Sequence, residues 1–170
     1  MNIRRGETSD ANLLSELGAK TFFDTFANDN TKQDIDAYLK QSFSPEIQLA
    51  ELSSPDVIFF IAEIEDTPAG YAQLVLGSRQ ESIQGAQPME IKRIYALQDY
   101  IGRGIGSQLM KAAIHEARAR DCDCIWLGVW ERNPRAIAFY RKWGFWEVGT
   151  HSFMLGSDPQ NDLIMELPLT

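Results

Sequence analysis

Residues 91–110 read IKRIYALQDYIGRGIGSQLM, and the three glycines spaced at alternate positions near their end decide the architecture. Met89 to Leu97 is apolar and β-branched enough for a strand. Ile105 to Arg120 places Ile105, Leu109, Ala112, Ala113 and Ala117 along one side of a helix. Gly102, Gly104 and Gly106 therefore stand where a strand hands over to a helix. Glycine lets the backbone turn tightly and come close to a ligand. The first N–H groups of the following helix lack partners and sit at the positive end of its dipole. The junction is thus suited to a phosphate or pyrophosphate. Two common phosphate loops are excluded. No Gly-Lys-Ser/Thr closes the run as a P-loop requires, and G-x-G-x-x-G fails on Leu109 or on Ser107, whichever glycine leads. A dinucleotide loop would also follow the first parallel strand, whereas this run comes late in the chain.

Working outward, Val57 to Ile64 and Tyr71 to Leu76 read as two strands joined by a turn at Asp66-Thr67-Pro68-Ala69-Gly70, a hairpin, and Ser78 to Gln87 is polar and loop-like. Before the hairpin, Ile3 to Arg5 is a short edge strand. Thr8, Ser9 or Asp10 caps a helix reaching about Phe26, Asp34 to Gln41 forms a second, and Ser44-Pro45-Glu46 opens a third. After the glycine run, Cys124 to Trp130 is a strand and Pro134 to Trp143 a helix closed by Gly144. Phe145 to Thr150 and Leu163 to Leu167 supply the last strands. This order predicts an α/β (α+β) chain: one mixed, mostly antiparallel central sheet with helices on both faces. No repeat, low-complexity tract or linker divides residues 1–170, so a single domain is expected.

The net charge of −8 and pI near 4.7 disfavour duplex nucleic acid and anionic membrane surfaces as partners and favour a cationic substrate. MNIRRGETSD has no signal-peptide core, and no run approaches a membrane span. Cys122 and Cys124 share a face at a spacing that cannot easily bridge, and no second Cys or His pair completes a zinc site. A reducing cytoplasm and no metal are expected. His115, among charged neighbours on its helix, reads as exposed, and His151 as a strand-end residue.

The segment Ile91 to Met110 resembles the signature of the GNAT superfamily of N-acetyltransferases: a strand, then Q/R-x-x-G-x-G/A, then a helix. Gly104 and Gly106 match its glycines, while Ile101 departs from the usual Gln or Arg. Downstream, Asn133-Pro134-Arg135-Ala136-Ile137-Ala138-Phe139-Tyr140-Arg141-Lys142-Trp143-Gly144-Phe145 resembles that superfamily's second signature, N-x-x-A-x-x-x-Y-x-x-x-G-F. The resemblance implies the GNAT fold and acetyl-coenzyme A as co-substrate. Backbone groups of Ile94, Tyr95 and Ala96 would pair with the pantetheine arm as an added strand. Amides of Gly102, Arg103, Gly104, Ile105, Gly106 and Ser107 would hold the pyrophosphate. Asn133 and Ala136 would contact the coenzyme, and Tyr140 would lie close to its sulfur.

Acetyl transfer from a thioester to an amine needs a base for the ammonium, a donor for the oxyanion and an acid for the leaving thiolate. A backbone N–H near Tyr95–Ala96 would serve the oxyanion. Tyr140 suits the acid, against a thiol whose pKa is ~8.5. Glu90, on the signature strand, is the expected base; a water relay is the alternative. Trp130 would line the amine pocket, with Trp126 in the core.

The first helices resemble those of PaiA-type polyamine acetyltransferases in Thr21-Phe22-Phe23-Asp24-Thr25-Phe26, Asn28 to Asn30, Tyr38-Leu39 and Phe43-Ser44-Pro45-Glu46. This implies a polyamine acceptor held by Phe23, Asp24, Tyr38 and Trp130, with Asp29, Asp34, Asp36 and Glu46 adding negative charge. Acetylation of a protein N-terminus or lysine, or a non-catalytic acyl-coenzyme A sensor, are the other readings. A monomer and a homodimer fit equally well.

Overall fold

The computed structural model describes residues 1–169. In chain order, β1 (Asn2–Arg5) leads into α1 (Ala11–Phe26), α2 (Lys32–Ser42) and α3 (Pro45–Ser53). The strands β2 (Val57–Ile64), β3 (Thr67–Leu76) and β4 (Pro88–Ala96) follow, then α4 (Ile105–Ala119), β5 (Cys124–Trp130), α5 (Pro134–Lys142), β6 (Trp146–Leu155) and β7 (Asp158–Pro168). Seven strands form one sheet in the order β1-β2-β3-β4-β5-β7-β6, and every neighbouring pair is antiparallel except β4 with β5. This is the mixed, mostly antiparallel sheet the sequence predicts.

Alternation along the strands divides the core between two helical layers. Ile58, Leu74, Met89, Ile91, Leu127 and Met165 pack on α4 and α5 through Met110, Ala113, Ile137 and Tyr140. Their strand neighbours Phe59, Ile61 and Tyr71 face α1 at Leu14 and Leu17. A third cluster joins Phe22, Phe26, Ile35 and Phe43 to Trp130 and Leu155, which ties α1 and α2 to the C-terminal strands. Ser44 caps α3 by accepting from Ile47 N at 3.3 Å, with Pro45 at the first helical position.

Two boundaries depart from the sequence reading. The β2–β3 turn is only Glu65-Asp66, both at positive φ (50° and 61°), and pairing resumes at Ile64↔Thr67. Pro68 is admitted inside β3 because it lies beyond the reach of β4, whose pairing stops at Gly70↔Ala96. The last two strands run well past Thr150 and begin well before Leu163, meeting at Leu155↔Asp158. Asp34 on α2 fixes that turn, accepting from the Ser157 amide and hydroxyl at 2.9 Å each.

The feature that creates a site is a fork between β4 and β5. They pair only at Pro88↔Cys124, Met89↔Ile125 and Glu90↔Trp126. Immediately after, Lys92 is bulged: Leu74 pairs with Ile91 and Gln73 with Arg93. A bulge bends and twists its strand, so residues 91–96 of β4 swing away from residues 127–130 of β5. The facing backbone edges of these two segments are not paired with each other.

Candidate active site

The fork opens into a cleft of about 840 Å³ that passes through the sheet. One wall is Ile94, Tyr95 and Ala96 of β4; the opposite wall is Gly128, Val129 and Trp130 of β5. Gly102, Gly104, Ile105, Gly106 and Ser107 line its coenzyme-sized end together with Asn133, Ala136, Phe139 and Tyr140 of α5. Thr21, Asp24, Thr25 and Phe26 of α1, followed by Asp29, line the other end. A smaller hollow of about 420 Å³ between α4 and the end of β7 contains none of the expected site residues.

Gly102 and Gly104 both have φ of +84°, and a Cβ at either would meet nothing within 4 Å. Backbone geometry, not space, demands glycine there. Gly104 is the N-cap of α4 and offers no side chain to cap it; the first helical bond is Gln108 N to Gly104 O at 3.1 Å. The amides of Ile105, Gly106 and Ser107 thus lack intrahelical partners, and the helix dipole adds to their pull on an anion. At Gly106 space does matter: a Cβ would stand 3.3 Å from Phe139 Cζ, so the missing side chain lets α4 and α5 approach.

Asn133 caps α5, its carboxamide oxygen accepting from Ala136 N at 3.2 Å, with Pro134 at the first helical position. Ala136 therefore spends its amide on the cap. Tyr140 is buried, its ring 5.5 Å from Phe139 and 5.8 Å from Phe145. Burial pushes its hydroxyl above the ordinary tyrosine range.

The structure leaves Glu90, Phe23, Tyr38 and Arg103 outside the cleft, and with them Asp34, which holds the β6–β7 turn, Asp36, which pairs with Lys32, and Glu46 in the first turn of α3. Glu90 lies at the closed end of the fork, opposite Trp126, and its carboxylate accepts from Ser78 Oγ at 2.6 Å. The Trp126 indole N–H donates to the Ser78 carbonyl at 2.7 Å, so this corner is tied together before the strands part. Phe23 is 47% exposed, because the inward face of α1 carries Phe22 and Phe26. Tyr38 stacks on Phe22 at 4.4 Å instead of lining the cleft. Arg103 lies with its guanidinium 5.2 Å over the Tyr100 ring. Trp130 is in the wall, its indole N–H donating to Gln160 Oε1 at 2.8 Å.

Several residues came to the site without notice from the sequence. Arg132 and Arg135, at the start of α5, put two cations on the cleft of an acidic chain. Cations beside a helix N-terminus that follows a strand were the available signal. Asp162 on β7 does not itself line the cleft but lies against its Gly128 wall, and residue type gave no signal for it. It pairs with Trp130 across β5 and with His151 across β6. Its Oδ2 lies 3.0 Å from where a Gly128 Cβ would be. Burial, and secondarily the Glu131 charge, push this carboxyl up to about 7. Among the described residues no cluster of three or more His, Cys, Asp or Glu side chains is placed to hold a metal ion. None of their helices is long and apolar enough to cross a membrane.

The family and the fold are fixed by comparisons with known proteins. The model of the Acetyltransferase (GNAT) family matches residues 20–145. An uncharacterized N-acetyltransferase in the pepI 3′ region of Lactobacillus delbrueckii subsp. lactis is 31% identical over 153 residues, covering 90% of this chain and 88% of that one. The spermine/spermidine N(1)-acetyltransferase of Bacillus subtilis is 36% identical over 56 residues, 32% of this chain and 37% of that one. In fold, the chain superposes on the PaiA N-acetyltransferase of Thermoplasma acidophilum, solved in complex with coenzyme A. The TM-score is 0.77 at 22% identity, with 99% of each chain covered. The chain therefore belongs to the GNAT family and is an acetyl-coenzyme A-dependent N-acetyltransferase.

Proposed function

We propose that the acceptor is the primary amine of a small polycation, a polyamine such as spermidine, and that it attacks the thioester directly. The observation that carries this reading is the division of charge along the cleft. Arg132, Arg135 and the free amides of α4 mark the end suited to coenzyme phosphates. Asp24 and Asp29 mark the opposite end beside the aromatic faces of Phe26 and Trp130. Ammonium groups are held by carboxylates and by aromatic faces. The partial likeness to the spermine/spermidine enzyme and the fold shared with PaiA support the same choice.

In this reading the β5-facing backbone edge of Ile94, Tyr95 and Ala96 pairs with the pantetheine arm, filling the ladder that β5 abandons. The amides from Gly102 to Ser107 receive the pyrophosphate, and an N–H of the Tyr95–Ala96 segment stabilises the oxyanion. Tyr140 donates its proton to the departing thiolate. Because burial keeps that hydroxyl protonated, it is a donor throughout the neutral range.

Thiol release from acetyl-coenzyme A, followed with spermidine, spermine, a short peptide and buffer alone, tests the proposal. Release with the polyamines only is expected, and Asp24→Asn with Asp29→Asn should raise KM for spermidine roughly tenfold at low salt. Preference for the peptide would overturn the polyamine assignment. Coenzyme binding without release with any amine would favour a sensor.

A further inference from the structure

We propose that Asp162 is the base that takes the proton from the incoming ammonium, its carboxylate reaching the acceptor side of the fork across the bare backbone of Gly128. This rests on the reading of the cleft as an amine acetylation site. Asp162 alternates with Leu163 and Met165, which face α4 and α5, and shares its side of β7 with Gln160 and Ile164. Gln160 binds the Trp130 indole on the α1–α2 side, so Asp162 belongs to the acceptor face of the sheet. Its Oδ2 and Cγ lie 3.0 and 3.7 Å from the position of a Gly128 Cβ, and Gly128 is itself part of the cleft wall. A side chain at 128 would crowd this carboxylate, so the glycine is what lets it lie against the cleft wall.

Among the described residues nothing donates a hydrogen bond to Asp162 and no cation pairs with it. The Glu131 carboxylate accepts from Asn161 Nδ2 at 3.2 Å. The titratable groups beside Asp162 are Glu131, just after β5, whose charge opposes its ionisation, and His151, its cross-strand partner on β6. With its carboxyl at about 7, Asp162 is divided between acid and base forms at neutral pH. Tyr140 lies on the other face, in the cluster with Leu127, Val129 and Met165. Base and acid thus flank the fork from opposite sides of the sheet.

The step balances. The ammonium N–H bond breaks and its proton passes to the Asp162 carboxylate, leaving the nitrogen lone pair to form the bond to the acetyl carbon. The carbon–sulfur bond then breaks, and the thiolate takes the Tyr140 proton. The second proton shed by the nitrogen restores Tyr140, and Asp162 releases its own to solvent.

The test is kcat/KM between pH 5.5 and 10 for wild type, Asp162→Asn and Asp162→Glu, with the amine that supports turnover among spermidine, spermine and a short peptide. Coenzyme affinity and circular dichroism are measured alongside. Asp162→Asn should lose about 100-fold at pH 7, abolish the ascending limb near pH 7, and recover toward wild type near pH 10, where the amine deprotonates unaided. Coenzyme affinity should change less than twofold, and Asp162→Glu should keep a displaced limb. A wild-type profile in Asp162→Asn, or an equal loss at every pH, would overturn the base assignment alone. If wild type binds coenzyme yet releases no thiol with any of the amines, the acetylation reading falls and Asp162 with it.

Discussion

Replacing Asp162 by asparagine has a consequence for folding that does not depend on any role in chemistry. In the folded chain the carboxyl titrates at about 7, against an ordinary 3.8. Below both values the folded and unfolded states are protonated and the residue is silent. As pH rises, the unfolded chain releases its proton first, because the folded state disfavours the charge. Stability therefore falls between about pH 4 and pH 7 and stays lowered above that. The full displacement corresponds to about 4 kcal/mol, of which about 3 kcal/mol falls between pH 5 and pH 8. Asparagine removes the titration, so the stability of wild type relative to Asp162→Asn should worsen by about 3 kcal/mol over that interval. Urea unfolding of both proteins at each pH, read through tryptophan fluorescence, measures it; titrating groups that are not coupled to Asp162, as Glu131 is, cancel in the difference. A gap that stays constant within about 0.5 kcal/mol would refute the claim that burial raises this carboxyl.

Tyr140→Phe should lower kcat at least tenfold while leaving coenzyme affinity unchanged, in stopped turnover and equilibrium binding assays; an unchanged kcat would remove Tyr140 as the acid. Gly104→Ala meets no neighbour but forces a side chain into φ of +84°. It should cost about 1–2 kcal/mol and lower the melting temperature by about 3 °C or more. Tyr71→Phe should raise stability by about 1 kcal/mol in urea unfolding, because among the described residues the buried Tyr71 hydroxyl has no partner in well-formed hydrogen-bond geometry, Thr21 Oγ1 being turned to the Leu17 and Gly18 carbonyls.

The parts of the fold that were legible in the sequence are those whose physics is local. Positive φ at Gly102 and Gly104, proline after an asparagine cap at α5, and a serine–proline start at α3 each declare themselves in residue type. The extended β6–β7 hairpin did not, because Thr150, His151 and Ser152 pair with Leu163, Asp162 and Asn161 on a half-exposed edge that carries no continuous apolar pattern. The candidate site divides the same way. Its proposed coenzyme end is read from two short contiguous segments, residues 94–107 and 133–140, both of which reach the cleft. Its acceptor end could not be read that way. Which of Phe22 and Phe23 faces inward depends on helix rotation, and Glu90 misses the cleft because the strands separate one pair after it. Asp162 becomes unusual only through the absent side chain of Gly128, 34 positions earlier and on a different strand.

Among the described residues, three residue pairs are the whole ladder between β4 and β5, continued only by the Asp123 N–H donating to the Gln87 carbonyl at 3.0 Å. A sheet so joined is mechanically two plates with a short seam, and a ligand that completes the interrupted ladder works as a keystone. Coenzyme arrival and departure then set how firmly the plates hold together. The amides of residues 91–96 that face β5, unlike those bonded to β3, should exchange with solvent quickly until the keystone is seated, and slowly afterwards. On the proposed pairing of the pantetheine arm with β4, turnover is in that sense a repeated setting and lifting of one strand of the sheet, lent by the substrate.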